Sequence, residues 1–127
     1  MSYIEWEYYS SLYSEVEESE FEKLRARAEL RIDLYTHNRA KAFMVKYIEE
    51  NATDFEKTVA QAIKITTCEL INKISMQDSR GMGVGIASVS NDGYSESYKV
   101  TTESEKRAEL DSVIKLGLMG TGLAGAL

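Results

Sequence analysis

GMGVGIASVSNDGYSESYKV, residues 81–100, interrupts a chain whose remainder is patterned as helix. Within Asn91-Asp92-Gly93-Tyr94, Asp92-Gly93 is the dipeptide best suited to a two-residue hairpin turn, whose central residues need positive φ. A turn there opposes Ser90 with Ser95, Val89 with Glu96, Ser88 with Ser97 and Ala87 with Tyr98. Opposed residues share a face and successive residues alternate. One face becomes Ala87, Val89, Tyr94, Glu96 and Tyr98; the other becomes Ser88, Ser90, Ser95, Ser97 and Lys99. A register slipped by one residue would mix the two sets. Gly81, Gly83 and Gly85 make a glycine-spaced lead-in that disfavours helix. The expected fold class is therefore mainly α: a small bundle of about four helices with a β-hairpin inserted over 81–100 and an extended C-terminal arm. A two-stranded hairpin is marginal alone in water, so it either folds back on its own helices or reaches a neighbouring subunit.

Working outward, 127 residues make one domain with a single modest core. The apolar share of 43% is ordinary for a soluble protein. No apolar run approaches the roughly 20 residues that cross a bilayer, and MSYIEWEYY lacks a basic region ahead of an apolar core, so neither membrane nor secretion signal is expected. The single cysteine, Cys68, excludes an internal disulfide and fits a reducing compartment. Net charge is −6, unevenly spread: residues 1–22 hold seven Glu, including Glu15, Glu17 and Glu18, and no Lys or Arg. Such an acidic segment repels phosphate, which argues against tight nucleic-acid binding.

Residues 1–18 crowd Trp6, Tyr8, Tyr9, Leu12 and Tyr13 into an irregular arm, with room for one helical turn. Large aromatic surfaces need covering, so the arm staples its own bundle or meets a partner. Ser19-x-x-Glu22 reads as a capping box, followed by Phe21, Leu24, Ala28, Ile32 and Tyr35 at helical spacing. Lys23, Arg27 and Arg31 form a row on another face, either solvated or set to meet the acidic segment (Glu15, Glu17, Glu18) of a neighbouring copy. After Thr36-His37-Asn38, a short helix spans 39–51. His37 has no second His or Cys beside it and is not read as a ligand. Thr53-x-x-Glu56 is a second capping box and opens the longest helix, to about Asp78, with Phe55, Val59, Ala62, Ile63, Thr66, Leu70 and Ile74 as its stripe. Thr102-x-x-Glu105 opens the last helix, 102–118, with Leu110, Val113, Ile114 and Leu118 apolar. Apart from Gly117, next to the end of the last helix, no glycine falls inside a helix in this reading, and the chain has no proline.

From Gly117 the chain reads GLMGTGLAGAL, uncharged, with Gly117, Gly120, Gly122 and Gly125. It is apolar, yet too glycine-rich to fold alone. Residues 119–127 read as an arm that orders on binding, with Gly117, Leu118, Met119, Gly120, Leu123 and Leu127 as its contacts; the bland alternative is a frayed end. No phosphate loop, nucleophile elbow or paired metal-binding His or Cys is present. Gly81-x-Gly-x-Gly85 leads toward the expected hairpin rather than from strand into helix, so it is not read as a phosphate cradle. No enzyme, cofactor or metal is expected.

The chain resembles the head–tail connector (adaptor) proteins of long-tailed bacteriophages over nearly its whole length. The resemblance rests on Phe21-x-x-Leu24-x3-Ala28, on Ile32-Asp33-x2-Thr36-x2-Arg39, on the long third helix, and above all on Gly85-Ile86-x-Ser88-x-Ser90-Asn91-Asp92-Gly93-Tyr94-Ser95-x-Ser97-Tyr98. Ser88-Val89-Ser90 departs from the Ser-Glu-Ser common in that family. The resemblance implies a structural virion protein made in the host cytoplasm and placed at the neck, between head and tail. It implies a dodecameric ring of identical copies under the portal, with the C-terminal helix and arm docked on the portal and a stopper or tail-completion protein on the far side. The hairpin residues Ser88, Ser90, Asn91, Asp92, Gly93, Ser95 and Ser97 would then face the channel or the next ring. A channel lined by hydroxyls and acids would pass DNA without specific binding, since each Lys or Arg contact to phosphate adds salt-dependent affinity. The alternative is a non-ring helical adaptor that captures one protein partner through its C-terminal arm.

Overall fold

A helix of 36 residues, Asp54–Val89, runs through the protein, and the other elements are arranged on its flanks. The computed structural model describes residues 2–89 and 103–123, and within 80–89 the backbone alone. In chain order the elements are α1 (Trp6–Leu12), α2 (Glu18–Tyr35), α3 (Arg39–Lys46), a 3-10 turn (Glu49–Asn51), α4 (Asp54–Val89) and α5 (Glu103–Gly117).

The inserted hairpin is not what forms over its first half. Gly81, Gly83, Gly85, Ala87, Ser88 and Val89 continue α4, and there is no strand among the described residues. Ser90, Asn91, Asp92, Gly93, Ser95 and Ser97 lie outside them. The physical reason is that helix is costly to nucleate and cheap to extend: each further residue closes one more backbone hydrogen bond. A glycine costs about 1 kcal/mol relative to Ala but forbids nothing, and proline, which would break the ladder, is absent. Glycine spacing therefore marks a weak helix here, where the sequence reading took it for an end.

Elsewhere local chemistry sets the boundaries. At the start of α4 the capping box forms in both directions: Thr53 N–H donates to Glu56 Oε1 at 2.9 Å, and Glu56 N–H to Thr53 Oγ1 at 3.1 Å. The box expected at Ser19 does not form. The N-cap is Glu17, without a side-chain cap bond, and Glu18 and Glu20 place negative charge in the first turn instead. α2 ends at a corner where Asn38 is left-handed (φ 63°) and its N–H reaches back to the Asp33 carbonyl at 2.7 Å, a Schellman-type closure. Thr36, fully buried, donates to the Ile32 carbonyl at 2.8 Å and accepts from Ala40 N–H at 3.2 Å. One hydroxyl thus ties the end of α2 to the start of α3.

The core is made where α2, α4 and α5 meet. α2 contributes Phe21, Leu24, Ala28 and Ile32; α4 contributes Val59, Ile63, Leu70, Ile71 and Ile74; α5 contributes Leu110 and Ile114. Two partners flank α4, so its buried face is broad and takes in Thr66, Thr67 and Cys68 as well. α4 and α5 run antiparallel. Gln77 donates to the Lys106 carbonyl and to Glu109 at one end, while Gly117 lies against Thr66 at the other. Phe55, expected in the stripe of α4, is 60% exposed at its first turn.

The N-terminal aromatics lie on their own bundle. Tyr9 is fully buried on α1, stacks on Tyr13 at 5.5 Å and meets Phe21 at 5.6 Å, while its hydroxyl donates to Asn72 of α4. Trp6 meets Phe21 edge-on at 5.5 Å. Ahead of α1, Tyr3 N–H donates to Glu29 at 2.6 Å and its hydroxyl to Asp33, so residues 3 and 4 are buried along α2.

Candidate functional site

The residues singled out from the sequence fall in three places. Arg27 of α2 pairs with Asp78 of α4 at 2.8 Å, and Arg31 of α2 pairs with Asp111 of α5 at 3.4 Å. Two members of the basic row therefore have partners within their own chain, on α4 and α5, the two helices that build the core with α2. Lys23 is exposed, as are Glu15, Glu17 and Glu18, and no bond joins the row to those acids within the chain.

The expected C-terminal arm is anchored at its base. Gly117 is the last residue of α5, and a Cβ on it would lie 2.1 Å from Thr66 Oγ1, so the helices approach closer there than any side chain permits. Leu118 is 1% exposed and belongs to the core. The chain then turns through Gly120 (φ 85°) and Gly122 (φ 83°), both left-handed. Thr121 pins the turn: its hydroxyl donates to the Leu118 carbonyl at 2.7 Å and accepts from Leu123 N–H at 3.1 Å. Leu123 packs back on the core, whereas Met119 is 66% exposed. Leu127 lies outside the described residues. Ser88 is on α4, and the other residues of the expected hairpin contact lie outside the described residues.

The titratable groups with displaced pKa values are structural in their surroundings. Burial pushes the Cys68 thiol up to about 12, with the Glu69 carboxylate adding to the effect. Burial likewise raises the Tyr9 and Tyr13 hydroxyls to about 12. Glu29 is raised because it is buried, against the opposing pull of Tyr3 N–H and of Arg25, which bridges Glu22 and Glu29. Among the described residues no group of three His, Cys, Asp or Glu could hold a metal ion, and no helix is long and apolar enough to cross a membrane.

Two features sequence reasoning missed are exposed apolar residues on helix faces turned away from the core. Leu30 and Leu34 stand on α2 at 56% and 60% exposure, and Leu116 stands on α5 at 65%. Their i, i+4 spacing was visible, but periodicity reports which residues share a face and not whether that face is covered. No family model, characterised protein or solved structure matches the chain.

Proposed function

We propose that this chain is a structural virion protein, a ring-forming head–tail connector at the neck of a long-tailed bacteriophage. Identical copies assemble under the portal, extend the channel through which DNA leaves the head without specific binding, and offer a platform to a stopper or tail-completion protein. The observation that carries this reading is the end of α5. Ile114 and Leu118 hold it in the core, while Met119 stands 66% exposed at the start of the arm. A rigid helix end leading into an exposed apolar side chain and a glycine turn suits docking in a groove between portal subunits. Repetition around a ring multiplies a weak contact through avidity. The string Gly85 to Tyr98 supports the family reading independently of its conformation.

The test is co-sedimentation of the full chain with portal-bearing heads, with the number of bound copies counted. The wild-type chain should bind as a multiple-copy ring, and Met119→Glu should bind about tenfold more weakly or worse, because a charge replaces an apolar contact worth about 1.5–3 kcal/mol. Absence of wild-type binding, or capture of a single copy, overturns the connector reading.

A further inference from the structure

The exposed faces of α2 and α5 carry the same pattern with opposite charge. On α2, Lys23, Arg27, Leu30 and Leu34 follow one another at i, i+4, i+7 and i+11, all exposed. On α5, Glu105, Glu109, Ser112 and Leu116 have the identical spacing, with Glu109 half-buried and the other three exposed. Each set is a single stripe about 16 Å long, since eleven residues rise 1.5 Å apiece. Each also faces away from its own helix's buried side, which is Leu24, Ala28 and Ile32 on α2 and Leu110, Ile114 and Leu118 beyond α5. The first is basic at its N-terminal end and apolar at its C-terminal end. The second is acidic at its N-terminal end and apolar at its C-terminal end.

We propose that these stripes are the two halves of one contact between copies of this chain. α2 of one copy lies parallel to α5 of the next, with Lys23 opposite Glu105, Arg27 opposite Glu109, Leu30 opposite Ser112 and Leu34 opposite Leu116. In the parallel sense every charge meets its opposite and the leucines are buried together. The antiparallel sense would set Lys23 against Leu116 and Leu34 against Glu105. Ala26 and Ala108, both exposed and adjacent to the stripes, let the two helices come close. Arg27 and Asp78 are each about half exposed in their pair (47% and 51%), and the guanidinium has donors to spare for a second carboxylate. Glu109 accepts from Gln77 at 2.9 Å, and an ionised carboxylate offers about four lone-pair sites. Arg31 is outside the stripe, committed to Asp111.

Two different surfaces meet, so the contact is heterologous. It leaves an open α2 stripe at one end and an open α5 stripe at the other, and it repeats until the rotation closes a ring. This names the subunit contact of the ring proposed above and rests on that reading for closure.

The test is disulfide cross-linking of Leu34→Cys/Leu116→Cys in a single chain, alone and on portal-bearing heads; native Cys68 is buried and stays silent. The double variant should give a ladder of covalent multimers, and each single variant none. Lys23→Glu should abolish the ladder, and adding Glu105→Lys should restore it. Dimers from a single variant would mean the same stripe meets itself and overturn the heterologous contact. A counted multiple-copy ring on the heads without cross-links would overturn this surface and leave the connector reading standing. No self-assembly in either condition would overturn both.

Discussion

Replacing Gly117 by Ala tests whether the end of α5 belongs to the bundle. The added methyl would sit 2.1 Å from Thr66 Oγ1, 3.1 Å from its Cβ and 3.2 Å from its Cγ2. Thr66 is β-branched, 2% exposed and in mid-helix, and its Cβ, which no χ1 turn moves, already lies 3.1 Å from the added methyl, so a rotamer change alone does not relieve the contact. The helices must separate, and overpacking of this kind costs about 1–3 kcal/mol. An exposed Gly→Ala change inside a helix would instead gain about 1 kcal/mol, so the sign discriminates. The Thr66 hydroxyl has no hydrogen-bond partner among the described residues, and Thr66→Ala therefore removes a buried unsatisfied group along with a methyl. Gly117→Ala with Thr66→Ala should recover most of the loss, giving a coupling of about 1 kcal/mol or more in a double-mutant cycle. Urea unfolding followed by circular dichroism supplies all four stabilities. A neutral or stabilising Gly117→Ala alone would refute the close approach and return Gly117 to the flexible arm.

Glu29 makes stability depend on pH in a defined direction. Burial holds its carboxyl above the usual range in the folded state, so its contribution favours folding while it is protonated and fades as pH rises through that raised value. Glu29→Gln should accordingly improve relative to wild type as pH rises above the usual glutamate value, and a difference that stays constant in paired denaturation curves would contradict this. Cys68, buried and with its thiol pushed up to about 12, should react with a thiol reagent only as fast as the protein unfolds. Labelling faster than unfolding, measured against urea-dependent rates, would place the thiol within reach of solvent.

The N-terminal half of α4 was legible because its cause is local. Thr53 and Glu56 are three residues apart and bond each other, and Val59, Ile63, Thr66, Leu70 and Ile74 recur at the helical period and are buried. The same holds for Phe21, Leu24, Ala28 and Ile32 on α2, and for Leu110, Ile114 and Leu118 at the other end of the chain. Where one residue type serves two conformations, composition alone misled. Gly81, Gly83 and Gly85 extend α4 because the helix already nucleated upstream carries them. Gly117 is a glycine for a different reason, the approach of Thr66 from a helix 51 residues earlier in the chain. The partners of Tyr3, Arg27 and Arg31, at Glu29, Asp78 and Asp111, are equally non-local. Among the stripes, spacing and charge were present in the amino-acid order, but their availability was not. A helix has several faces of plausible pattern, and only the packing of α2, α4 and α5 on one another settles which of those faces water is left to cover.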